Sequence, residues 1–210
     1  MPVIPRVSLT VVEERFRDLV RVVQKCVACP GMEGRKRVLT EKNGPSNVDL
    51  MFIAEAPGKD GADRTGVPLF GDPTGFNFER LLESVKLTRA EVFITNSVLC
   101  NPRDEKGNNR APSEEESRNC SFHLENTIVV VNPLVIVTLG KAALNSLNLI
   151  HPHSISLRED VGTDVLWNGR TVFPMYHSSP RVLVHRSMEQ QRQDFKRLMK
   201  IVNYKKGIVG

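Results

Sequence analysis

Four short apolar runs separated by helix-patterned segments constrain this chain more than any other feature. Residues 48–54 (VDLMFIA), 92–98 (VFITNSV), 134–139 (LVIVTL) and 171–176 (TVFPMY) are short and nearly continuous in apolar character. Such runs read as strands buried on both faces, not as strands with one wet face. Between and around them the period changes. Val12, Phe16, Leu19, Val20 and Val23 recur at helical spacing and predict a helix over 9–25, with Thr10 and Glu13 as its capping box. Further helices are predicted over 76–85 and 141–149, with an amphipathic one closing the chain over 188–204. Another opens at the Ser113/Glu116 capping box, carries Cys120 and is stopped at Pro133. This alternation predicts an α/β fold with a mostly parallel central sheet, and residues 1–210 as a single domain.

In sheets of this kind, functional groups gather beyond the carboxyl ends of the strands. Those positions hold Glu55, Asn96, Gly140 and His177. Glu55-Ala56-Pro57-Gly58 turns a strand end into a tight loop whose amides can face a ligand. Gly71-Asp72-Pro73-Thr74-Gly75 leads into a helix, so Asp72 reads either as an N-cap or as a carboxylate that activates water, with Asp63 as its competitor. His177 is followed by Ser178, Ser179, Pro180 and Arg181, small hydroxyls and a cation suited to phosphate. His185 and Arg186 are further phosphate candidates.

Cys26 and Cys29 form a C-x2-C pair, and Cys100 and Cys120 stand alone downstream. Four thiols so arranged fit one metal centre, and spacing alone leaves zinc and an iron–sulfur cluster both open. Composition narrows the remaining choices. With 29 Lys+Arg against 24 Asp+Glu, the net charge of +5 permits nucleic acid as a partner without demanding it. The longest apolar stretch, 128–139, is interrupted by Asn132 and Pro133, so no membrane segment is expected. Residues 1–6 lack a signal-peptide core, and a cytoplasmic, monomeric protein is the expectation.

Taken together in order and spacing, several motifs resemble the iron–sulfur uracil-DNA glycosylases of the uracil-DNA glycosylase superfamily. They are Cys26-x2-Cys29, Glu55-Ala56-Pro57-Gly58, the stretch RTGVPLFG (64–71), ITNSVLC (94–100), Ala111-Pro112-Ser113 and His177-x-Ser. The resemblance implies a three-layer α/β sandwich with a central four-stranded parallel sheet flanked by helices, and a [4Fe–4S] cluster on Cys26, Cys29, Cys100 and Cys120. It also implies a DNA partner containing uracil or another deaminated base, which is flipped out and excised to leave an abasic site. Asp72 would position water and His177 would stabilise the departing base. Asn96, Glu55, Ala56, Leu69 and Phe70 would contact the base, and Ser178, Ser179 and Arg181 the DNA.

The chain departs from that family's pattern at two positions. Ala62 stands where the Glu-Ala-Pro-Gly branch has its acidic catalytic residue, whereas Gly71-Asp72-x-x-Gly75 matches the sibling branch. Leu69 occupies the place of the stacking aromatic, with Phe70 beside it. The missing acid favours a non-catalytic binder of damaged DNA, a preference for hypoxanthine or xanthine also stays open, and outside the family stands a zinc-stabilised hydrolase of small nucleosides. Basic residues at 35–37, after the cysteine pair, and at Arg181, His185 and Arg186 are expected to border the DNA track.

Overall fold

The computed structural model describes residues 9–208. In chain order the elements are α1 (Leu9–Gln24), β1 (Leu50–Ala54), α2 (Ala62–Thr65), α3 (Pro73–Glu83), β2 (Val92–Asn96) and α4 (Glu114–Val131). They continue with β3 (Val135–Leu139), α5 (Lys141–Ile150), α6 (Leu157–Asp160), β4 (Val165–Trp167), β5 (Arg170–Met175) and α7 (Met188–Lys205). One sheet runs in the order β2-β1-β3-β5-β4. The pairs β1–β2, β1–β3 and β3–β5 are parallel, while β4–β5 is antiparallel.

The sheet thus has five strands, not the four predicted. The added strand is the edge β4, joined to β5 through Asn168 and Gly169, both at positive φ (46° and 72°). Asn-Gly in this conformation is the preferred two-residue hairpin turn, because its twist matches that of the paired strands. The other correction is at the first helix. Thr10 lies inside α1, so it does not cap it. The Ser113/Glu116 box does cap α4.

Successive strand residues alternate between two apolar layers. Met51, Ile53, Phe93, Ile136 and Val172 pack with α1, α4 and α5 residues such as Phe16, Leu124 and Leu144. Leu50, Phe52, Ile94, Val137 and Phe173 pack with Phe78 and Leu82 of α3 and Phe195 and Leu198 of α7. Phe52 meets Phe78 edge-on at 5.1 Å and stacks on Phe195 at 5.8 Å, which fixes α3 and α7 over β1. The expected three-layer sandwich is therefore present, with the N-terminal turn of α3 held at the carboxyl end of the sheet. No helix among the described residues is long and apolar enough to cross a membrane.

Candidate active site

The carboxyl ends of the parallel strands open into a cleft of about 840 Å³. Glu55, Ala56, Leu69, Asp72, Asn96, His177, Ser179 and Arg181 all line it. Eight of the predicted contact residues, distant in sequence, therefore share one cavity.

Asp72 is both an N-cap and a cleft residue, because its two oxygens have different surroundings. Oδ1 accepts the amide of Gly75 at 2.8 Å and caps α3. Oδ2 occupies space that exists only because residues 58 and 61 are glycines. A Cβ at Gly61 would lie 2.3 Å from Oδ2, and one at Gly58 would lie 3.2 Å away. The cap bond anchors Oδ1, and the missing side chains at 58 and 61 leave room for Oδ2.

His177 faces the same cleft. Burial pulls its pKa below the ordinary histidine value, and the nearby Asp72 carboxylate opposes part of that shift. Its Nδ1 accepts the amide of Ser179 at 3.3 Å. An imidazole that accepts at Nδ1 and stays neutral carries its proton on Nε2, so it is a hydrogen-bond donor without positive charge. Asn96, at the end of β2, is 1 % exposed, and its Nδ2 has no hydrogen-bond partner within the protein. A buried amide left open in this way costs free energy unless a ligand satisfies it. Burial also raises the Glu55 carboxyl above its ordinary range. Leu69 is buried in the α3–α7 layer and borders the cleft from a backbone at φ 48°, a strained conformation for a bulky residue.

Several expectations are corrected. Phe70 does not line the cleft; it is 46 % exposed and lies under the Arg89 guanidinium. Ser178 is buried, its hydroxyl donating to the Thr74 carbonyl at 3.2 Å and its own carbonyl accepting from Asn77 Nδ2 at 3.0 Å. It braces the loop and offers no surface to DNA. Asp63 is turned away from the cleft into an ion pair with Arg103, and its other oxygen accepts the Lys36 amide. Arg37 points inward and donates from Nε and Nη2 to the Cys26 carbonyl. Arg186 is paired with the buried Asp194.

Further residues reach the cleft from the segment after β2. The 101–111 loop folds back through an Arg103–Asn109 bridge and supplies Asn101, Asn109 and Arg110 to the cleft wall. Asn101 Nδ2 donates to the Pro57 carbonyl at 2.6 Å and to Asn109 Oδ1 at 2.9 Å, and that same oxygen accepts the Lys59 amide. This network ties the loop to the turn after β1. Asn101 follows Cys100 in the segment beyond β2 and carries no local signal of this role.

All four cysteines border a second, smaller cavity together with Met32, Arg37, Val98 and Asn119. Burial, reinforced by the neighbouring thiols, pushes Cys100 up to about 11 and Cys120 up to about 12. Four thiols converge from α1's end, the following turn, β2's end and α4. Yet no group of three or more His, Cys, Asp or Glu among the described residues is drawn tight enough for a single metal ion. A four-thiol donor set on one cavity suits either a structural zinc ion or an iron–sulfur cluster. Ala56 packs against this thiol layer while also lining the cleft, so the two cavities share a wall.

Comparison with known proteins agrees with this geometry. The chain is 34 % identical over 183 residues to a type-4 uracil-DNA glycosylase of Thermotoga maritima, covering 86 % of this chain and 89 % of the relative. It is 32 % identical to the type-4 enzyme of Saccharolobus solfataricus, over 87 % of this chain and 84 % of that one. A type-5 uracil-DNA glycosylase of Pyrobaculum aerophilum is 28 % identical over 65 % of the chain and 64 % of its own length. Residues 41–201, which include every strand and the whole cleft, match the uracil DNA glycosylase superfamily, and the chain belongs to that family.

Proposed function

We infer that the protein is a uracil-DNA glycosylase, a monofunctional enzyme that hydrolyses the N-glycosidic bond of deoxyuridine in DNA and leaves an abasic site. Residues 1–210 form its single glycosylase domain. The observation that carries the reading is Asn96, whose buried Nδ2 has no partner in the protein and which lines the same cleft as Asp72 and His177. A base inside a duplex cannot reach such a site, so the nucleotide must leave the stack and enter the cleft.

Bond breaking in this reaction places positive charge on the sugar and negative charge on the leaving base. Asp72 Oδ2, held by the capped α3 and the two glycines, positions water and stabilises the sugar's cationic character. The neutral His177 donates from Nε2 to the developing base anion, an electrostatic effect that requires a fixed donor more than an acidic one. Asn96 Nδ2 reads a carbonyl on the base edge, and Leu69 with Ala56 closes the apolar walls. Ser179 and Arg181 border the cleft where phosphates flanking the flipped nucleotide pass. The ion-paired environment of Asp63 supports Asp72 as the water-positioning carboxylate.

Cys26, Cys29, Cys100 and Cys120 would hold a [4Fe–4S] cluster, as the resemblance to the iron–sulfur glycosylases implies, and their place on one cavity supports a shared centre. When bound, it supplies a tie between four chain segments, beside the Ala56 wall of the cleft. A specific observation favours a wider base range as well. Leu69 offers an aliphatic side chain where the related branch has an aromatic, so stacking discriminates less strongly among deaminated bases. Both readings are tested by one base-panel assay, with oligonucleotides carrying uracil, hypoxanthine or xanthine. Abasic product from uracil is expected, and retention of every base without cleavage would overturn the enzymatic reading.

A further inference from the structure

Between His177 and α7 the chain makes a tight turn, Pro180–Val184, which carries Arg181 to the cleft and leaves its last residue, Val184, 82 % exposed. None of the five turn residues is buried. Val182 and Leu183 are half-buried and the turn touches α3, so its position is set by that contact and by what holds its two ends. The upstream end is braced on α3 through Ser178, Thr74 and Asn77. The downstream end is Arg186, and its attachment is unusual for a surface loop.

Asp194 of α7 is fully buried, and its carboxylate accepts from Arg186 Nε and Nη2, each at 2.5 Å. Arg197 also pairs with Asp194 Oδ1, and its Nε donates to the Gly162 carbonyl at 3.2 Å. Gly162, at φ 75°, leaves room for this: a Cβ there would lie 2.7 Å from both Asp194 Oδ1 and Arg197 Nη2. One helical turn earlier, the buried Gln191 donates from Nε2 to the Arg186 carbonyl at 3.0 Å. Arg186 is thus gripped at its side chain and its main chain by residues 191 and 194 of one helix.

A buried ion pair is a poor device for stability alone, because desolvating the charges offsets most of their attraction. Its geometry, a bidentate fork, is well suited to fixing orientation. We propose that Asp194 is a positioning residue for DNA excision, holding Arg186 so that the Pro180–Val184 turn stands rigid against the duplex when a base leaves the stack. The proposal rests on the glycosylase reading and on this turn meeting DNA. A rigid turn matters where base pairing and stacking resist extrusion, and matters little where the base is already free.

The test compares uracil excision from double-stranded and single-stranded oligonucleotides by wild type, Asp194→Asn and Arg186→Lys, under single-turnover conditions. The expected result is a fall of about tenfold or more in the duplex rate, with the single-strand rate within about twofold of wild type. Equal losses on both substrates, or none on either, would overturn the proposal. Amide hydrogen exchange supplies a second readout that does not depend on activity. The amides of Val182, His185 and Arg186, which close the turn onto Ser179 and Val182 carbonyls, should exchange faster in both variants while those of α7's core remain protected. Unchanged protection at these three amides would also refute the clamp. Wild-type excision from single strands is the control for the glycosylase reading itself, so failure of that reading is visible separately. Arg186→Lys retains charge at the pair, and covers the case in which Asp194→Asn does not fold.

Discussion

Replacing Gly61 by alanine adds one methyl group that touches no substrate, yet the site geometry predicts a large catalytic loss. The new Cβ would stand 2.3 Å from Asp72 Oδ2 and 2.8 Å from its Cγ. Ordinary non-bonded contact is about 3.5–4.0 Å, so the carboxylate must move by roughly 1 Å. That movement weakens the 2.8 Å bond from the Gly75 amide, an N-cap interaction worth about 1 kcal/mol. In a domain of this size, such a loss lowers Tm by roughly 2–4 °C. The catalytic effect is larger, since a misplacement of about 1 Å near reacting atoms costs on the order of 100-fold in rate. Single-turnover release of uracil, read as alkali-labile abasic sites, measures this, and anisotropy on the same oligonucleotide separates it from DNA binding. Gly58→Ala, with its 3.2 Å contact, should lose much less. The decisive comparison is a double-mutant cycle: Gly61→Ala should cost little further in an Asp72→Asn background. A Gly61→Ala enzyme with full rate, or an undiminished loss on top of Asp72→Asn, would refute the placement of Asp72 at the reacting centre.

Other perturbations have equally definite outcomes. Asn96→Ala should lower single-turnover uracil excision by about 10- to 100-fold, the worth of a hydrogen bond to a developing charge. The Asp72 carboxylate raises the His177 pKa against the lowering by burial, so NMR titration of Asp72→Asn should show the His177 midpoint below that of wild type. His123, buried on α4, has a folded pKa below its ordinary 6.5. Its contribution to stability is therefore complete above that value and is lost as pH falls through the lower folded one, and His123→Gln should flatten this acid limb in thermal melts. Cys120→Ser should reduce the iron and sulfide content of purified protein and lower its Tm, measured by metal analysis and calorimetry; unchanged iron would remove Cys120 from the ligand set.

Much of the cleft was legible because its chemistry sits at strand ends. Glu55, Asn96 and His177 each follow a short apolar run, and a parallel sheet brings such positions together whatever the loop lengths. The 101–111 loop was opaque for the opposite reason. Its role depends on Asn101 reaching the Pro57 carbonyl across 44 residues, and no local pattern encodes that contact. The β4–β5 hairpin had a clear local signal in Asn168-Gly169, overshadowed by the short, half-exposed edge strand beside it. Phe70 and Ser178 were misplaced for a related reason. Each is adjacent in sequence to a cleft residue, and the backbone turns between neighbours send side chains in opposite directions.

Apolar periodicity, capping boxes and the four cysteines by themselves determined an α/β sandwich, the polar groups at its carboxyl end and a shared thiol centre, because hydrophobic patterning and topology act over a few residues at a time. Tertiary structure alone decided which carboxylate lies in the cleft. Asp63 and Asp72 lie in the same glycine-rich segment, yet Arg103 pairs with one, while a helix cap fixes the other beside two glycines in the cleft. Charge and orientation at a site are set by neighbours that meet only in the folded chain.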